Sequence, residues 1–414
     1  MDGALQTHYG RRAEVDSSAS WLRMLAGLAL STIGSFGIWA VVVILPAVQA
    51  EFGVARGQAS FPYTATMLGF AFGAVLHGRL ADRFGIVVPA VIGSLAMGLG
   101  CVLASFSGSL LQFALAQGVL VGMLGSAAMF GPLVADVSQW FERRRGLAVS
   151  VVASGNYLAG TIWPPLLQAA VAAVGWREAY LWSGLIAIVL MLPITLALRR
   201  PPPPPSGTAT RDAAAAAQGI GVPPGVLQAL LVLAGLSCCV AMSMPQVHIV
   251  AYCGDLGFGP ARGAEMLALM LGFGVVSRIA SGWIADRIGG VKTLIAGSTL
   301  QCIALIFYLP ADGLASLYVV SILFGLAQGG IVPSYAIIVR EVFPAGDAGA
   351  RVGLVLMSTI VGMAAGGWLS GWIFDLTGSY QAAFLHGIAW NLVNMAVALW
   401  LLLRMRATPR VALA

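Results

Sequence analysis

Charge is the scarcest property of this chain. Asp, Glu, Lys and Arg together make up 9% of it, where a soluble domain carries roughly a quarter. With 59% hydrophobic residues, it reads as an integral membrane protein. Lysine is almost missing, Lys292 being the single one, and no acid falls in the middle of an apolar block: Asp136, Glu265 and Asp375 sit at block ends. The cysteines, Cys101, Cys238, Cys239, Cys253 and Cys302, lie in apolar or block-end stretches without metal-ligand spacing, so they read as packing residues and neither a disulfide framework nor a metal site is expected. His-x-x-Glu-His, Gly-x-Ser-x-Gly and phosphate-cradling glycine loops are absent as well. A membrane-embedded enzyme needs a nucleophile with its base, a metal cluster or paired carboxylates inside the spans, so neither catalysis nor ATP-driven pumping is expected, and no cofactor. A sensor or receptor would add a large signalling domain, which the short ends and central linker do not supply.

What is there is a series of glycine-containing apolar blocks of about twenty residues. These indicate helices, because barrel strands would be short and alternating. Twelve spans are predicted, at approximately 21–45, 58–80, 86–107, 109–135, 146–170, 178–198, 224–250, 261–284, 291–309, 313–339, 350–374 and 380–403. The stretch Met1–Ser20 is polar and the block after it is too long for a signal sequence, so span one is expected to remain as an anchor. The net charge of +6 does not call for nucleic acid, because the basic residues are sorted by side. With both termini cytoplasmic, Arg56, Arg177 and Arg262 alone fall outside, Arg278 falls within a span, and the rest of the 22 Lys and Arg face the cytoplasm. This positive-inside bias supports an even number of spans, and a multi-pass protein of a bacterial cytoplasmic (inner) membrane, embedded in lipid and monomeric, is the expectation carried forward.

The chain repeats itself. Gly78-Arg79-Leu80-Ala81-Asp82-Arg83-Phe84-Gly85 after span two returns after span eight as Gly282-Trp283-Ile284-Ala285-Asp286-Arg287-Ile288-Gly289, 204 residues on. Trp176 to Leu181 returns at the same offset as Tyr380 to Leu385. Two matches at one offset predict a duplication: an all-α membrane fold of two pseudo-symmetric six-helix bundles, 1–198 and 224–414, around a central cavity. Between them, 199–223 holds five consecutive prolines, Pro201 to Pro205, and then Ala213 to Ala217, and reads as a flexible cytoplasmic tether. Asp82, Arg83, Asp286 and Arg287, with Arg143 on the same side, are candidates for a conformational latch in which carboxylate and guanidinium pair in one state and part in another. Gly69 and Gly73 of span two form a small-xxx-small pattern suited to close backbone packing.

Arg278 is the one cation within a span. It precedes Asp286 by eight residues, which places it roughly 12 Å below that end of a hydrocarbon slab about 30 Å thick. An arginine there should face a bundle interior or a wet cavity. Its planar fork of donors suits a carboxylate, so a small organic anion is the expected ligand. Polar residues available to share the cavity are Trp39, Gln117, Asn156, Tyr157, Gln328, Tyr335, Asn391 and Asn394. His248 and His386 lie nearer the outer face and are candidates for an outer gate or a proton carrier.

The six-plus-six repeat, the Gly-x-Leu-Ala-Asp-Arg-x-Gly motif and the central linker resemble the major facilitator superfamily of secondary transporters over the whole chain. Ile86-Val87-Val88 stand where that family usually has a basic pair. Trp140 to Ala148, continuing to Ala153-Ser154-Gly155 and Gly160, looks like the signature leading into span five of monocarboxylate porters. Arg278 is similar to their span-eight arginine, and Pro245 to Tyr252 followed by Asp255-Leu-Gly257 to the span-seven end of bacterial members. The resemblance implies alternating-access transport of a lactate- or pyruvate-like monocarboxylate with a proton, and prefers Gln117 and Gln328 as lining residues. Alternatives are a dicarboxylate or formate antiporter related to oxalate:formate exchangers, or a carrier of a neutral or drug-like solute. Eukaryotic monocarboxylate porters carry an acid where Gly274 stands and a lysine in span one, and the antiporters a lysine in span eleven; this chain has none of the three.

Overall fold

The computed structural model of the protein describes residues 15–200, 222–343 and 345–407; most of the tether at 199–223 falls outside them. Helices account for all the regular structure among the described residues. Eleven are long and apolar enough to cross a membrane. One of these, at 146–196, has 51 residues and at helical rise would reach about 75 Å, more than twice the hydrocarbon thickness. Gly175 interrupts it with φ 81° and ψ 162°, a conformation that glycine alone adopts without strain, and so splits it into spans five and six. The crossings are therefore twelve.

Span boundaries move by a few residues from those predicted, and the motif of span two changes character. Spans two and eight continue as helix to Phe84 and Ile288. Asp82-Arg83 and Asp286-Arg287 thus ride on final helical turns rather than on the turns themselves, which Gly85 (φ 77°) and Gly289 (φ 85°) make.

By packing, the chain falls into two compact units. The first holds spans one to six; the second holds spans seven to twelve and, in addition, residues 55–60 from the sequence between spans one and two. Span three, Val87–Ser105, shows how a membrane sorts a helix. Leu95, Leu99 and Leu103 form an exposed stripe, about half exposed each, while Met97, Cys101 and Ala104 are fully buried. The large apolar side chains face lipid and the smaller ones face the bundle, as association without a hydrophobic drive requires.

Close backbone contact occurs in both units. In the first, a Cβ at Gly69 or Gly73 would lie 2.0 Å from the carbonyl of Gly118 or Met123, so span two presses directly on span four. Near one end of the same unit, Arg23 of span one grips Asp136 of span four through two 2.7 Å bonds, with both side chains buried. Its third nitrogen donates to the Arg200 carbonyl at 2.7 Å, and the guanidinium stacks 4.5 Å from the Trp140 ring.

Candidate functional site

Spans four and ten, expected as continuous helices, are both broken. Span four begins as α-helix at Leu110–Leu115, widens to a π-helix at Ala116–Ser126, and resumes as α-helix at Gly131–Val137 with Pro132 in its first turn. The Ala127 N–H donating to the Gly122 carbonyl at 3.2 Å is the five-residue bond of π geometry. Span ten runs Leu314–Gln328, breaks at Gly329-Gly330, and resumes at Ile331–Val342 with Pro333 near its start. Discontinuous helices at corresponding places in two repeats are the usual mark of a transporter's substrate site, since they free backbone groups inside the protein.

The break in span ten is where Arg278 points. Pro333 has no N–H, so the carbonyl four residues earlier, that of Gly329, loses its helical donor. Arg278 Nε donates to this carbonyl at 3.4 Å. The close approach of spans eight and ten depends on Gly329 having no side chain: a Cβ there would sit 2.3 Å from the Gly274 carbonyl and 2.6 Å from the Arg278 backbone nitrogen. Arg278 is half-buried. The adjacent Gln328 is fully buried; its Oε1 accepts a short bond from Gln246 of span seven, and its Nε2 finds no partner. Two kinds of donor, a guanidinium and an amide, therefore lie on either side of one helix break.

The other polar candidates are drawn into the bundles. Gln117 sits fully buried on the π-helix and donates to the Tyr180 hydroxyl at 2.6 Å. Trp39 Nε1 donates to the carbonyl and the Oδ1 of half-buried Asn156, at 2.9 and 3.0 Å, and Tyr157 is buried beside them in sequence. Tyr335 donates to Asn394 (2.7 Å), Asn394 to Ser298 Oγ (2.7 Å) and Asn391 to the Ser298 carbonyl (2.8 Å), which ties spans nine, ten and twelve together. Asp82, Arg83, Arg143, Asp286 and Arg287 are exposed, and among the described residues none of them forms an ion pair. Arg287 lies over the Trp283 ring at 3.4 Å. His386 accepts from Trp390 Nε1 at 2.9 Å, and buried His248 places Nε2 2.8 Å from the Gly367 carbonyl.

His248 also borders a polar cluster that the sequence reading missed. Its ring lies 5.7 Å from that of Tyr380, whose hydroxyl accepts from Arg56 Nη1 at 2.5 Å. Arg56, inside the 55–60 segment of the second unit, further pairs with Asp255 at 3.1 Å, while the Asp375 carboxylate accepts from the Arg56 and Gly57 N–H groups at 2.8 and 2.7 Å. The first unit holds a counterpart. Glu51 accepts from Trp176 Nε1 and from Arg177 at 2.9 and 2.6 Å, and Arg177 also donates to the Ser105 and Ser107 carbonyls. Partial burial raises the Glu51 carboxyl, but the bonds from Arg177 and Trp176 outweigh it and hold the group below the ordinary carboxylate value. Glu51 and Asp255, and Trp176 and Tyr380, are again 204 residues apart, but the mate of Arg177 is Gln381. The second repeat lacks its own cation, and Arg56 takes that place.

Comparison with known proteins fits this architecture. The family model described as Major Facilitator Superfamily matches residues 27–314 and 255–413. The chain is 28% identical over 407 residues to monocarboxylate transporter 13 of Bos taurus, covering 93% of this chain and 90% of that protein. It is 29% identical over 402 residues to the Rattus norvegicus protein of the same name, with the same coverage. Among solved structures, a bacterial homolog of the human lysosomal transporter Spinster, inward-facing and occupied, aligns with a TM-score of 0.69 at 13% identity, covering 92% of this chain and 96% of that one. At that identity the likeness speaks for the fold.

Proposed function

The chain belongs to the major facilitator superfamily, and from that premise we propose that it moves a small organic monocarboxylate of lactate or pyruvate type by alternating access, together with a proton. The observation that carries the reading is Arg278, an intramembrane guanidinium set against a proline-freed carbonyl at the break of span ten. A guanidinium fork matches the two oxygens of a carboxylate, and the unsatisfied Gln328 amide stands next to the same break. The names of the mammalian relatives support the same substrate class. We rank Arg278 and Gln328 first as ligand contacts, and read Gln117, Trp39, Asn156, Tyr157, Tyr335 and Asn391 as residues that shape the surrounding bundles. In this reading the protein works as a monomer in a bacterial inner membrane, with both termini and the 199–223 tether on the cytoplasmic side. The test is uptake of labelled lactate, pyruvate, oxalate, formate and a neutral sugar into proteoliposomes, with and without an inward proton gradient. Gradient-stimulated uptake of the monocarboxylates alone is expected; uptake of the sugar but none of the acids would overturn the proposal.

The Asp-Arg pairs fit a conformational role in the same cycle. Arg83 and Arg287 suit the negative end of a helix, but Asp82 and Asp286 oppose it, at about 0.3–1 kcal/mol each. Exposed acids kept at an unfavourable end point to a partner in another state of the cycle. Asp82→Asn and Asp286→Asn are expected to slow uptake several-fold while leaving equilibrium binding of a carboxylate within about twofold. Equal loss of binding and uptake would instead assign these residues to the substrate site.

A further inference from the structure

Span two carries a titratable group for which nothing above has found a use. His77 lies five residues before Asp82, inside Phe61–Phe84, and is fully buried. Neither Nδ1 nor Nε2 reaches hydrogen-bond geometry with any group, although the Met123 and Leu124 carbonyls are near at hand. Those carbonyls belong to the π-helical part of span four, just before its break. A Cβ at Gly73, one helical turn before His77, would lie 2.0 Å from the Met123 carbonyl, so span two runs close against the π segment just before this histidine.

The chemistry of such a pairing depends on charge. A neutral imidazole is one donor and one acceptor, whereas two carbonyls offer acceptors only, so a neutral ring could bond at most one of them and would turn a lone pair toward the other. The protonated ring is two donors and matches both. A small movement of span four can bring the second carbonyl within reach of the new donor. Other titratable groups are few. The elements packed most closely on span two are spans three and four and the Phe36–Val43 part of span one. They contribute Cys101 and Asp136, and Asp136 is already held by Arg23. Span two itself adds Tyr63 near its outer end and the exposed Arg79, Asp82 and Arg83 at its inner end.

We propose that His77 is the proton-binding site of the first unit, and that the π segment of span four is the element its protonation moves. The ring takes one proton from water at its unprotonated nitrogen, no other bond breaks, and the new N–H closes on a second carbonyl of the π segment. This proposal draws on the reading of proton-coupled transport for its purpose, but protonation of the ring does not depend on any substrate. Wide helical turns of this kind recur at functional sites, where a small change of hydrogen bonding shifts the helix register.

The experiment has two arms. In the first, the full-length protein is labelled with nitrogen-15 histidine in detergent, without carboxylate, and its ring resonances are followed from pH 5 to 8. Assignment uses His77→Gln and, independently of that variant's folding, the chain bearing His8→Asn, His248→Asn and His386→Asn, which retains the His77 ring alone. The His77 resonance is expected to titrate within this range; a ring that stays neutral throughout overturns the proposal. In the second arm, proteoliposomes are given lactate. His77→Gln is expected to reduce gradient-driven accumulation at least tenfold while lactate exchange at equal pH stays within threefold. If His77→Gln accumulates lactate against the gradient as the parent does, His77 is not the coupling site. If the ring titrates but the parent takes up no lactate, the carboxylate reading fails and the proton site stands.

Discussion

Arg23→Met is expected to lower the thermal midpoint of the purified protein more than any other single change at the surface-facing ends of the spans. The two nitrogens that hold Asp136 and the one that holds the Arg200 carbonyl leave the guanidinium nearly fully bonded, and the side-chain exposures of 3% and 7% leave almost no water to compensate a loss. Removing one partner of a buried pair strands the other charge and costs about 3–5 kcal/mol, whereas replacing both by apolar residues of similar volume is nearly neutral. The double variant Arg23→Met/Asp136→Leu is therefore expected to recover most of the loss. Static light scattering of monodisperse protein during a thermal ramp would follow both. If the double variant is as unstable as Arg23→Met alone, the damage comes from lost packing on Trp140 and not from a stranded carboxylate.

The pair also illustrates what a single sequence reveals and what it conceals. Arg23 read as a topology charge and Asp136 as a block-end acid, because each satisfies a local rule and the sequence separation of 113 residues carries no sign of the contact. The spans and the duplication were legible for the opposite reason: hydropathy is a local property, and the Asp-Arg motif and the Trp176 and Tyr380 stretches repeat at one offset. That same offset held more than was taken from it. Glu51 and Asp255 are mates, and the replacement of Arg177 by Gln381 announces a missing cation in the second repeat, which Arg56 fills. The break in span ten was available too, as Gly329-Gly330 followed by Pro333, since a proline frees the carbonyl four residues before it. The π-helix of span four had no such warning. Its wider turn lies against the backbone of another helix at Gly69 and Gly73, and hydrophobic periodicity along one stretch of sequence cannot register that. His77 escaped attention because what sets it apart from the equally buried His248, two ring nitrogens without a hydrogen-bond partner, is not visible in sequence.

Arg278→Gln is expected to weaken carboxylate binding at least tenfold, with Arg278→Lys intermediate. A charge-assisted hydrogen bond contributes about 1.5–3 kcal/mol, and a bidentate grip on a carboxylate more. Lysine keeps the charge at this depth but loses the planar fork, and its single nitrogen cannot serve the Gly329 carbonyl and a substrate oxygen in the geometry that Nε and the terminal nitrogens allow. Two further variants separate a ligand role from a structural one. Pro333→Ala restores the donor that the Gly329 carbonyl lacks, so if that carbonyl serves chiefly to orient Arg278, binding is expected to fall several-fold with folding intact. Gln328→Leu removes the unsatisfied amide, and if that amide bonds the anion, a several-fold loss of affinity is expected. Binding would be measured by calorimetry with lactate and pyruvate on monodisperse protein, beside the thermal midpoint of each variant. An arginine that only braces span eight against span ten would show its loss in the midpoint and leave affinity alone. If Arg278→Gln is as stable as the parent and binds every monocarboxylate as tightly, the anion site lies elsewhere, and a neutral solute becomes the better reading of the substrate.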